Sequence, residues 1–167
     1  APTRIRQQYG NWFGMVEAMG DVDEQAQALI EHYRGFLVEL ETTAMTRSFK
    51  MVLLEAFQTL QGWASEVPLS ELAQLSWALL QRRPPLLADL SDDIRQLNGD
   101  STEWQRYWRK NPVNAWIGGS RNDEKRAFFT VDRENFKSTL PIPAAQTETF
   151  SELVQELIDF RFATYEA

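Results

Sequence analysis

The sequence holds no cysteine and one histidine among its 167 residues. Without thiols there are no disulfides, thiolate nucleophiles or cysteine-ligated zinc. His32 sits between Glu31 and Tyr33 with no partner nucleophile at a recognisable spacing, so a Ser–His–Asp arrangement has no support. A zinc site needs clustered His or Cys, which a lone histidine does not supply. No window approaches 18 uninterrupted apolar residues, so no membrane span is expected. The opening "APTRIRQQYGNWFG" lacks the apolar core of a secretion signal. Together these absences fit a cytoplasmic setting. Neither GxxxxGK[ST] nor GxGxxG occurs. Gly118-Gly119-Ser120 could present backbone amides to an anion, but its plain reading is a flexible approach to a hairpin. The acidic pairs Asp92-Asp93, Asp123-Glu124 and Asp21 with Asp23 fall in loops or helix starts, where carboxylates cap helices or stay solvated. The expectation is a non-enzymatic chain without metal or cofactor. It begins at Ala1 rather than Met, which reads as a piece of a longer protein.

What is present builds a core. Forty-three per cent of residues are hydrophobic and 12% aromatic, and a chain of this length buries roughly two thirds of its extended surface. Residues 1–22 read as an irregular arm. Ala26, Leu29, Ile30, Tyr33, Phe36, Leu37 and Leu40 recur at three- and four-residue steps, which predicts an amphipathic helix over about 23–41. A second helix, 48–60, is apolar almost all round and therefore central, with Thr46 or Ser48 as its cap and Gly62 as its end. A third opens at Pro68 or Ser70 and stops at Pro84-Pro85. A short helical turn follows, ending at Asn98-Gly99. Ser101 caps a fourth helix, and Asn111-Pro112 restarts the chain as a brief fifth with Pro at its first position. "AFFTVD" and "FKSTL" read as a hairpin around "RENF". A last helix from Thr147 packs back on the first. No internal repeat or low-complexity tract is present. The fold class is mainly α with one small β-hairpin, winged-helix-like, as a single domain over 23–167 after the arm.

The stretch "MTRSFKMVLLEAF" sets Arg47 and Lys50 beside the central apolar run, at a helix start where the dipole disfavours cations. Either they are simply solvated or they await an anionic partner.

Net charge is −7, which argues against a protein coated in positive potential. Residues 104–137 nevertheless hold eight basic and four acidic side chains, a local +4. Within them "EWQRYWRKNPVNAW" interleaves rings with cations. At 100° per residue Trp104, Tyr107 and Trp108 share one face, and Arg106, Arg109 and Lys110 mostly turn away from it. One reading is an amphipathic helix with rings inward and charges in water. The other places Arg106, Arg109 and Lys110, with Arg121, Lys125 and Arg126 of a basic hairpin tip, on a nucleic-acid backbone, and Trp116 as a stacking ring for a base. The same patch would also suit an acidic neighbouring domain or the acidic remainder of a second copy.

"MTRSFKMVLLEAF", "VPLSELAQ", "WQRYWRKNPVNAW" and "AFFTVDRENF" resemble a C-terminal accessory region of bacterial DEAD/DEAH-box-type superfamily II helicases, over roughly 30–165. The resemblance implies a parent enzyme that hydrolyses ATP and moves on DNA or RNA. The motor's phosphate loop and acidic magnesium motif are missing, so the chain itself would be a non-catalytic appendage. Its partners would be nucleic acid and a helicase motor domain in the same chain. The alternative is a protein–protein interaction module without nucleic-acid contact, which the net negative charge favours. A small carboxylate hydrolase is the remaining reading and has the least support.

Overall fold

The computed structural model describes residues 24–45, 47–118 and 127–166. The arm over 1–22, the cap candidate Thr46 and the loop residues Arg121, Lys125 and Arg126 lie outside the described residues. In chain order the elements are α1 (Glu24–His32), α2 (Arg34–Thr42), α3 (Phe49–Thr59), β1 (Val67–Pro68), α4 (Leu69–Gln81), α5 (Pro84–Leu87), α6 (Asp92–Arg95), α7 (Thr102–Trp108), a π-helical turn (Arg109–Val113), α8 (Asn114–Trp116), β2 (Phe129–Asp132), β3 (Asn135–Ser138), a 3-10 turn (Ala144–Gln146) and α9 (Thr147–Glu166). The fold is mainly α, as the residue pattern predicts, and the expected hairpin belongs to a small three-stranded antiparallel sheet.

Two compact units divide the chain: Ala1–Ala44 with Ala145–Ala167, and Met45–Ala144. The residue pattern predicts one domain over 23–167 after the arm.

In the first unit, α9 packs against α1 and α2, as expected of the last helix. The helix predicted over 23–41 changes at Tyr33, whose φ and ψ are −108° and 25°. The hydrogen-bond ladder still passes through it: the Tyr33 N–H donates to Leu29 O and the Leu37 N–H to Tyr33 O. The Tyr33 ring meets Phe150 edge-on at 5.3 Å. Arg161 of α9 closes the end of α2. Its guanidinium donates to the carbonyls of Leu40, Glu41 and Thr43 at 2.8, 2.6 and 2.6 Å. A cation there satisfies carbonyls that a helix end leaves open and complements the negative end of the dipole.

The second unit is organised around α3, which buries Phe49, Met51, Val52, Leu53, Leu54, Ala56 and Phe57. Burial of each large side chain stabilises by about 1.5–3 kcal/mol. Ser48 stands at the N-cap, yet its hydroxyl makes no capping bond; instead the Ser48 N–H donates to Asp89 Oδ2 at 2.9 Å. The helix ends in a Schellman arrangement. The Gly62 N–H donates to Phe57 O and the Gln61 N–H to Gln58 O. Gln61, not the glycine, takes the left-handed position, with φ 59°. Gly62 is needed for space, because a Cβ there would stand 2.4 Å from the Phe57 ring.

The three-stranded antiparallel sheet has the order β1-β3-β2. Val67 pairs with Phe136, and Val131 faces Phe136 from the other side. The two-residue strand β1 was not anticipated. Phe129 and Phe136 stack at 4.9 Å, and each meets Phe57 edge-on at 5.5 Å. These rings tie the sheet to α3.

Candidate nucleic-acid interface

The candidate surface is built on residues 102–116. Ser101 caps α7 as expected: its Oγ accepts the Trp104 N–H at 3.1 Å. The chain does not stop and restart at Asn111-Pro112, contrary to the sequence reading. It passes through the π-helical turn with Pro112 inside it and runs on into α8. Proline has no N–H to contribute, and the wider turn accommodates it.

The rings turn inward. Trp104, Trp108 and Trp116 are all buried. Trp104 stacks on Trp108 at 4.9 Å and meets Trp77 at 4.9 Å, and its Nε1–H donates to Ala73 O at 2.7 Å. Trp108 packs on Phe49 at 5.3 Å; its Nε1–H is buried and has no acceptor among the described residues. Trp116 is only 4% exposed. It packs on Phe129, donates its Nε1–H to Lys50 O at 3.1 Å and carries the Lys50 ammonium 4.5 Å from its ring centroid. The expectation that Trp116 stacks on a base is therefore corrected, because its ring is committed to the core and to Lys50. Lys50 is accounted for by the same contact. Arg47 lies 5.8 Å over the Phe49 ring, and its charge acts on the Tyr107 hydroxyl. Burial pushes the Tyr107 hydroxyl above its ordinary 10.0, with the Arg47 charge opposing it.

The cations turn outward. Arg106, Arg109 and Lys110 are exposed, and a spacing of three and four residues places them side by side on a helical face. Arg109 is engaged: its Nη1 donates to both Glu134 carboxylate oxygens at 2.9 Å. Arg106 and Lys110 have no ion pair among the described residues. The hairpin tip is Arg133–Glu134, since Asp132 pairs directly with Asn135. The residues Arg121, Lys125 and Arg126, expected at a basic hairpin tip, lie outside the described residues. Arg133, exposed at the actual tip, is a cation that the sequence reading did not single out; "RENF" between two strand patterns was its only signal. Lys137 stands 3.7 Å from Asp132.

The acidic balance lies elsewhere along the chain. Residues 1–44 and 145–167 carry twelve acidic and four basic side chains, or −8, whereas 45–144 carry thirteen basic and twelve acidic, or +1. Among the described residues no His, Asp or Glu cluster is arranged to hold a metal, and no helix is long and apolar enough to cross a membrane. Comparisons with protein-family models, with curated proteins and with solved structures returned no match.

Proposed function

We propose that Met45–Ala144 is a winged-helix-like accessory module that contacts a nucleic-acid backbone and positions it for a linked ATP-driven helicase motor. The observation that carries this reading is the cationic face of Arg106, Arg109 and Lys110 on a helix whose rings all point inward. The succession α3, β1, α4, then α7 and the hairpin, with β1 beside β3, supports a winged-helix-like reading, with the short helices α5, α6 and α8 added between its parts. The unit bearing the face is nearly balanced in charge, so the −7 of the whole chain does not oppose anion binding there. The resemblance of "MTRSFKMVLLEAF" and "WQRYWRKNPVNAW" to helicase accessory regions supplies the motor. With Trp116 buried, affinity comes from phosphate neutralisation rather than from base stacking.

Titration of a labelled DNA or RNA duplex against the chain, read by fluorescence anisotropy over a salt series, tests this. Binding is expected at low salt. Replacing Arg106 and Lys110 together by Gln should weaken it about equally for all sequences and reduce the salt slope by about 2. Absence of binding at low salt sinks the reading and leaves the protein–protein module, which the −8 segments favour through a basic partner.

A further inference from the structure

From the contact between Arg109 and Glu134 we infer that the hairpin tip carries an internal substitute for phosphate, a carboxylate seated where the nucleic-acid backbone would engage the helix. The inference rests on the proposed backbone contact and adds a determinant of its strength. The Arg109 Nη1 meets both Glu134 oxygens at 2.9 Å. That one guanidinium nitrogen serves carboxylate and phosphate oxygens alike, so the Glu134 carboxylate competes with a phosphate for it.

The turn that delivers Glu134 is built for position rather than comfort. A two-residue hairpin turn with positive φ at both residues favours Asn-Gly. Here Arg133 and Glu134 occupy those places, at φ 50° and 66°, each at a cost of about 1–2 kcal/mol. The Glu134 carbonyl accepts the Leu69 N–H at 2.9 Å, which anchors the turn to the start of α4 whatever its side chain does. The side chain is thus free to release Arg109 without loss of the hairpin.

Release is cheap. The two side chains are 52% and 74% exposed, and ion pairs this open are worth about 0–1 kcal/mol. The pair does not lock the module. It lowers the affinity of the cationic face and makes that face more selective for a dense row of phosphates over isolated anions.

The test compares wild type, Glu134→Gln, Arg109→Gln and the double variant, by duplex anisotropy over a salt series, with thermal melts as a check on folding. Glu134→Gln is expected to tighten duplex binding two- to fivefold and to steepen the salt slope by about 0.9, the share of one further phosphate. Arg109→Gln should cost more affinity in the Glu134→Gln background than in wild type. If wild type binds with a normal salt slope and Glu134→Gln binds equally or more weakly while folded, the inference is overturned and the interface stands. If none of the four binds at low salt, the interface and the inference fall together. A Glu134→Ala variant, also anchored by the backbone bond to Leu69, gives the same readout should the glutamine keep part of the contact.

Discussion

Lys50 and Trp116, 66 residues apart, hold each other twice: the indole N–H reaches the Lys50 carbonyl, and the Lys50 ammonium lies over the indole face. The first contact orients the ring and the second uses its electron-rich surface. A cation at an unfavourable helix start thereby gains a compensating partner. Trp116→Ala should destabilise the chain by about 3–5 kcal/mol through the cavity it leaves, whereas Lys50→Met should cost only about 0.5–1 kcal/mol. Denaturant unfolding measures both. Trp116→Phe, if it folds, should leave duplex affinity within about twofold, because base stacking would contribute 1–3 kcal/mol and is not made here. A larger loss of affinity would return the ring to the interface.

The end of α3 offers a pair of opposite substitutions. Gln61 holds a left-handed conformation that costs a side chain about 1–2 kcal/mol and costs glycine little. Gln61→Gly should therefore stabilise, by up to about 1 kcal/mol after the greater unfolded-chain entropy of glycine is deducted. Gly62→Ala should destabilise by more than that, since its Cβ would enter the Phe57 ring at 2.4 Å. Urea midpoints for the two variants should move in opposite directions. Movement in the same direction would contradict the cap geometry.

Tyr107 sets a dependence on alkaline pH. Burial raises its hydroxyl above 10.0 in the folded chain, so the neutral form is favoured there. Below 10.0 both states are neutral and this contribution is fully present. As pH rises beyond that value, the unfolded chain loses the proton first, and stability falls until the folded hydroxyl titrates too. Tyr107→Phe keeps the ring contacts with Trp104 and Phe49 and should flatten this alkaline decline. A pH series of urea midpoints for both proteins checks it, and parallel curves would refute the assignment.

Much of this architecture is legible in the residue order, and the exceptions have physical causes. Helical periodicity locates α4 and α9 because each buries one broad face, an apolar run on every side marks α3 as central, and Ser101 is readable as a cap because its hydroxyl needs only the N–H three residues on. Pro112 misleads, since proline normally marks a helix start, and the π-helical turn removes that constraint. The strand Val67–Pro68 is two residues long and is defined by its partner Phe136, which no local pattern contains. In the candidate site the outward turn of Arg106, Arg109 and Lys110 follows from spacing alone. The turn is readable at "RENF", but the Arg109–Glu134 contact spans 25 residues and no local pattern contains it. The Trp116 assignment failed for a related reason: its commitment to Lys50 is non-local.

The guanidinium of Arg161 reaches back 121 residues to Leu40, and this has a consequence for biosynthesis. A ribosome makes α1 and α2 first, and α9 becomes free to fold only after all of Met45–Ala144 has emerged. The segment translated in the middle can therefore reach its native state first, while the amphipathic pair made before it waits with its apolar stripe uncovered. Closure of the α1–α2 end thus waits on a segment made more than a hundred residues later, unlike a contiguous domain, which can close as its own residues appear.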